Sequence, residues 1–125
     1  MSEENSKFDR GMALRHEMFG AAGAEEAFAN ASDFSRPLQE ATTRFCFGEI
    51  WQRPGLDHKT RSMLTIAMLI ASGRFMQLSV HMRGAVANGV SEIEIRELIL
   101  HALLYCGIPS AVEATAIYES TLKKS

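Results

Sequence analysis

Apolar residues recur at spacings of three and four along most of this chain and nowhere alternate with period two, which predicts helices and no strands. Phe8, Met12, Leu14 and Phe19 mark a first helix over 8–19 that Gly20 ends, and the alanine-rich segment 24–34, with Phe28 on it, marks a second. Ser35-Arg36-Pro37 restarts the helix. Ser35 can cap it, Pro37 suits its first turn, and Leu38, Ala41, Phe45 and Ile50 form its apolar stripe with Arg44 and Glu49 alongside. The helix stops in Trp51–Asp57, where Pro54-Gly55 makes a turn and Asp57 can cap the next helix, 58–72. That helix is apolar nearly all round from Met63 to Ala71, so it must be covered on every side, by the rest of the chain or by a second subunit.

The chain is organised around the window between Gly73 and Gly89. At 3.6 residues per turn Phe75, Leu78, Met82, Ala85 and Val86 share one face, while Arg74, Gln77 and His81 climb another, with Gly84 and Asn88 above them. Asn88-Gly89 closes this helix, and Ser91-Glu92-Ile93-Glu94 matches the capping box that opens the next, running from Glu92 to about Cys106. Its apolar face holds Ile95, Leu98, Ile99, Ala102 and Leu103, and Glu97, His101 and Tyr105 form a second polar stripe. Gly107-Ile108-Pro109 breaks the chain before a last helix from Ser110 to about Lys123, whose Lys123 and Lys124 suit its negative end.

One hundred and twenty-five residues is the size of one domain, 1–125, with a real core but little room to enclose a deep pocket, so a pocket shared between subunits is expected. A net charge of −2 with no basic run sets nucleic acid aside. Cys46 and Cys106, each in apolar surroundings, read as buried free thiols. The opening residues are acidic and polar, not a secretory signal, and no apolar run reaches the roughly 20 residues of a membrane span. A soluble, cytoplasmic protein without a membrane contact is expected.

Candidate chemistry gathers in two places. Trp51 and Arg53 offer an aromatic wall and a forked anion donor beside a helix start, and Arg61 is the charged residue next to the apolar zone of helix 58–72. Arg74, Gln77 and His81 offer a cation, an amide and an imidazole on one helix side. The structural alternatives are that Trp51 plugs the core and that any one arginine pairs with Glu49 or Glu97. His16 reads as a surface residue and His101 as a structural one. A metal site of Glu97, His101 and His81 would lack a His-x-x-x-His pair or a cysteine cluster, so no metal is expected.

Arg44-Phe45, Gly48-Glu49-Ile50-Trp51, Arg53-Pro54-Gly55-Leu56, Thr60-Arg61-Ser62, Gly73-Arg74, His81, Asn88-Gly89-Val90, Glu97 to His101 and Tyr105-x-Gly-x-Pro109 together resemble the carboxymuconolactone decarboxylase family over residues 10–122. The resemblance implies an all-α, alkylhydroperoxidase D-like bundle of about six helices, assembled as a homo-oligomer, a trimer or hexamer. It implies a carboxy-lyase without cofactor, converting 4-carboxymuconolactone, a small lactone dicarboxylate, to the β-ketoadipate enol-lactone of aromatic catabolism. On that reading Arg53, Arg61 and Arg74 take the carboxylates, His81 is the proton donor or oxyanion partner, Gln77 donates an amide hydrogen bond and Trp51 walls the ring. The peroxidase branch of the superfamily carries Cys-x-x-Cys where this chain has Arg74 and Gln77, so dithiol chemistry is not expected. Gln77 stands where the decarboxylases usually carry Glu, which leaves open a paralogue that acts on, or merely binds, another small acid or lactone.

Overall fold

The structure, a computed structural model, describes residues 2–123 and is all-α, with no strand among them. Two compact units divide the chain, Met1–Leu56 and Asp57–Ser125.

In the first unit α1 spans Glu3–Phe19, opened by Ser2, whose hydroxyl accepts from the Asn5 amide. It therefore begins five residues earlier than the apolar pattern predicts, because a cap and two first-turn glutamates favour helix without any apolar residue. A 3-10 turn, Ala21–Gly23, follows α1, and the segment expected as a helix over 24–34 forms only the short α2, Glu25–Ala29. Next come α3, Arg36–Ala41, and a π-helix, Thr42–Phe47. Ser35 does not cap α3; its hydroxyl accepts from the Ser32 amide instead.

The wider π turn changes which residues reach the core. Leu38, Phe45 and Ile50 of the apolar stripe are 70 %, 60 % and 36 % exposed, and Ala41 is exposed with them. Thr43, Phe47 and Trp51 are buried in their place, and Phe47 and Trp51 join Leu14 and Met18 in the core of this unit. Backbone contact between α1 and the π-helix is direct. A Cβ on Gly11 would overlap the Thr43 carbonyl oxygen, and one on Gly48 the Lys7 carbonyl oxygen, so both positions admit only glycine.

In the second unit α4 (His58–Ser72), α5 (Phe75–Ala87), α6 (Glu92–Cys106) and α7 (Ile108–Leu122) pack around Ile66, Ile70, Leu78, Met82, Ala85, Ile95 and Ala114. The anticipated caps form. Asp57 accepts from the Thr60 amide at 2.7 Å, and Ser91 and Glu94 close both bonds of the capping box. α7 starts at Ile108, two residues early, with Pro109 in its first turn. Lys123 ends it and pairs with Glu92 at 2.7 Å; Lys124 lies outside the described residues. Within the chain the expected cover of α4 is incomplete, for Leu64 and Met68 are 42 % and 66 % exposed, which leaves the second-subunit alternative for that side.

Candidate functional site

α4 and α5 are joined by two residues, Gly73 and Arg74. Gly73 adopts φ 71°, its amide donates to Ile70, and the Arg74 amide donates back to Leu69 at 2.9 Å, a Schellman closure that a β-carbon at Gly73 would strain. The same device ends α5. Gly89 has φ 92°, and the amide of buried Val90 donates to Ala85. These locks pin both ends of the helix that carries the polar stripe.

Arg74 is the N-cap of α5, with φ −92° and ψ 68°, and not a member of its first turn. The expected three-residue stripe is thus a helical pair, Gln77 and His81 at i and i+4, with Arg74 set by the corner that precedes them. Arg74 and Gln77 are exposed and His81 is half-buried. Burial holds the His81 imidazole below its ordinary value of 6.5, so it is neutral at physiological pH. A neutral imidazole can donate a hydrogen bond to a developing oxyanion; to deliver a proton it must first acquire one. Farther along α5, the side-chain amide of Asn88 donates at 3.0 Å to the hydroxyl of Ser62, which is 2 % exposed on α4. Ser62 belongs to the Thr60-Arg61-Ser62 segment that carries the family resemblance, but its periodicity gave no sign of burial, since a serine on a helix reads as surface.

Arg61 is half-buried on α4, which packs against α5, so four of the six expected site residues lie on one helix pair of the second unit. Trp51 and Arg53 belong to the first unit. Trp51 is 7 % exposed with its ring centroid 5.6 Å from that of Phe47, a core position that anchors the loop from within. Arg53 follows the 3-10 turn Ile50–Gln52 and is exposed. Glu49, the expected structural partner for an arginine, is instead 2.6 Å from Lys7.

A buried charge that the sequence reading missed is Arg15, 6 % exposed. Its guanidinium donates to the Gly23 carbonyl, to Gln39 and to Thr43, the last two at 2.8 Å, and burial lowers its pKa. Gly11, Leu14, Arg15 and Met18 share helical spacing, which was the available signal. Burial pushes the Cys46 thiol up, with Arg15 offsetting part of the shift, so this cysteine is held as a thiol. Cys46 and Cys106 are free and half-buried.

His101 is exposed, its ring centroid 5.2 Å from that of Tyr105. Both line an apolar groove of about 790 Å³ between α4 and α6, with Glu97 on its rim. Between α6 and α7 a smaller groove of about 350 Å³ has Glu92 at its edge, where it accepts from the Tyr118 hydroxyl and pairs with Lys123. Among the described residues no three His, Cys, Asp or Glu side chains converge as a metal site would need, and no helix is long and apolar enough to cross a membrane.

Residues 36–120 match the sequence profile of the carboxymuconolactone decarboxylase family, a region that holds all six expected site residues. The chain belongs to the carboxymuconolactone decarboxylase family. Two family relatives are aligned over nearly the whole chain. A nitrosuccinic acid decarboxylase of Metarhizium robertsii is 46 % identical over 115 residues, covering 92 % of this chain and 80 % of that protein. A 4-carboxymuconolactone decarboxylase of Acinetobacter baylyi is 38 % identical over 120 residues, covering 96 % of this chain and 90 % of that protein. The profile match runs across the boundary between the two units, so family membership describes both.

Proposed function

We propose that this chain is a carboxy-lyase that decarboxylates a small dicarboxylate whose own electron-withdrawing group receives the electrons, with no metal or organic cofactor. The observation that carries this reading is the placement of neutral, half-buried His81 one turn from Gln77 on α5, with Arg74 at the head of that helix.

The two relatives act on substrates with a shared logic. Carboxymuconolactone has a lactone carbonyl in conjugation with the carbon that loses carbon dioxide, and nitrosuccinic acid has a nitro group on it. In either case the C–CO₂⁻ bond breaks, its electron pair moves into the acceptor to give a dienolate or a nitronate, and a proton then adds to carbon. The protein must bind two carboxylates, stabilise the oxyanion and return one proton. Arg74 and Arg61 are assigned to the carboxylates on the second unit and Arg53 on the first, because a guanidinium forks two donors at a planar anion and stays charged. His81 is assigned to the oxyanion and, once protonated beside an anionic substrate, to the proton return. Gln77 donates its amide and carries no charge to repel the substrate. Trp51 contributes through the loop it anchors, with 7 % of its surface left for a ligand.

The finer assignment is 4-carboxymuconolactone, supported by the Acinetobacter relative that spans 96 % of this chain. The second reading is nitrosuccinic acid, favoured by the 46 % identity of the Metarhizium relative. Turnover of both compounds, followed spectrophotometrically with chelator present for the native protein and His81→Ala, separates them. Native turnover of one compound that falls at least about a hundredfold in His81→Ala supports the reading and selects the substrate. No turnover of either by folded protein rejects decarboxylation of these acids and leaves the paralogue that only binds another small acid or lactone.

We also propose that the protein is a homo-oligomer, a trimer or hexamer. Ile93, Leu104, Tyr105, Ile108 and Val112 are 61–79 % exposed along α6 and α7, apolar side chains that a contact with a second copy would cover.

A further inference from the structure

The site residues of the second unit stand on α4, on α5 or at the corner between them, so they keep one geometry only while those two helices keep one register. At one end the backbone fixes that register, through the two-residue corner of Gly73 and Arg74. At the other end a side-chain bond spans the pair, the Asn88 amide donating to the Ser62 hydroxyl at 3.0 Å. The backbone requires neither residue. Asp57 is the N-cap of α4, so Ser62 caps nothing, and Asn88 has φ −88°, open to most residues, while the left-handed turn falls on Gly89. What the two side chains contribute is the bond itself.

We infer that Ser62 and Asn88 are positioning residues, which hold Arg61 and His81 at the mutual spacing the substrate needs; the inference rests on the decarboxylase reading above. Asn88 stands at i+7 from His81, about two turns on, so the two side chains leave α5 on nearly the same side. Whatever fixes the rotation of α5 at Asn88 therefore fixes it at His81. On α4, Ser62 is the immediate neighbour of Arg61, so the bond anchors one helix beside one site residue and the other helix on the side of the second. An apolar pair in the same place would not do this. It could leave stability nearly unchanged, but apolar contact has no direction and tolerates sliding, whereas a hydrogen bond is lost once its length or angle leaves a narrow range. Ser62 is 2 % exposed, so water does not readily replace the Asn88 amide, and the bond enforces one register. A displacement of about 1 Å at a reacting centre can lower a rate about a hundredfold, so a bond of this kind acts on the scale that matters.

Ser62→Ala, Asn88→Ala and the double variant are compared with native protein and with Tyr118→Phe, a control that also deletes one side-chain bond between helices, from α7 to Glu92 of α6. Folding is checked by circular dichroism, and Asn88→Ser replaces Asn88→Ala if that chain does not fold. Two quantities are read well below the thermal midpoint. One is kcat on whichever of the two compounds native protein turns over. The other is the rate at which diethyl pyrocarbonate modifies half-buried His81, followed by peptide mass spectrometry with exposed His16 of the same chain as the reference. Each single variant should lower kcat about tenfold or more, and the double variant should lose no more than the worse single, because both remove the same bond. Modification of His81 should be at least about threefold faster in both, since α5 is no longer held against α4, and Tyr118→Phe should keep both native values. A folded single variant with native kcat overturns the inference. So do losses that multiply in the double variant, or a fall in kcat that Tyr118→Phe shares. Native protein that turns over neither compound rejects the decarboxylase reading alone. The rate at His81 then decides the positioning, upheld by faster modification in both single variants but not in Tyr118→Phe, and overturned by native rates.

Discussion

At the scale of single residues, the two histidines with shifted pKa values act in opposite directions on stability. His81 is held below 6.5 by burial. Above pH 6.5 it is neutral folded or unfolded and contributes nothing to the pH dependence; as the pH falls below 6.5 the unfolded chain takes up its proton first, so stability declines until the folded value is passed. His16 is held above 6.5 by its hydrogen bond to Glu25 at 2.9 Å, so its contribution is complete below 6.5 and is lost as the pH rises through the raised value. Urea unfolding from about pH 5 to 8 should show His81→Asn with a weaker loss of stability on the acid side, and His16→Asn with a weaker loss on the neutral side. Arg15 is the residue whose removal should cost most in the first unit. Arg15→Ala would strand the Gly23 carbonyl, Gln39 and Thr43 without their donor, and a loss of about 3 kcal/mol is expected in the same urea measurement.

At the scale of elements, caps and close backbone contacts carry the local fold. Ser91→Ala removes the acceptor for the Glu94 amide, and about 1 kcal/mol of stability should go with it, read from the thermal midpoint. Gly11→Ala is a harsher change, because the new methyl meets the backbone of the π-helix rather than a side chain that can turn away. A loss of about 3 kcal/mol or more is expected, with the strongest spectroscopic change at Trp51, which packs on the last residue of that helix. The π turn is itself the element least legible from the sequence. Leu38, Ala41, Phe45 and Ile50 do recur at helical spacing, and nothing in that spacing tells whether the stripe faces inward. The backbone carbonyls of Lys7 and Thr43, pressed against Gly48 and Gly11, leave no room for side chains there and turn the stripe outward.

At the scale of the whole molecule, an oligomer ties stability to concentration. If association stabilises the folded chains, the thermal midpoint of the native protein should rise as its concentration is raised a hundredfold. A flat native profile with monomeric mass would remove the oligomer altogether. An association that covers the exposed positions of α6 and α7 should also slow limited proteolysis there at high protein concentration relative to low.

Much was already settled by local chemistry. The helical class follows from spacing, the stops at Gly73 and Gly89 from the left-handed backbone that glycine permits, and the starts at Asp57 and Ser91 from side chains that satisfy amides three residues on. These features lie within a few residues of each other, so the sequence determined them alone, and the family motifs spread over 10–122 rested on the same local record. What only the tertiary structure decided was where each helix face points and what each charge meets. Arg15 is buried among neutral acceptors, Glu49 pairs with Lys7 rather than an arginine, Ser62 receives the Asn88 amide, and Arg74 heads α5 from a non-helical cap. Each of these depends on residues brought together by packing or on a backbone angle set by the neighbouring helix, and neither is written in the periodicity of a single segment.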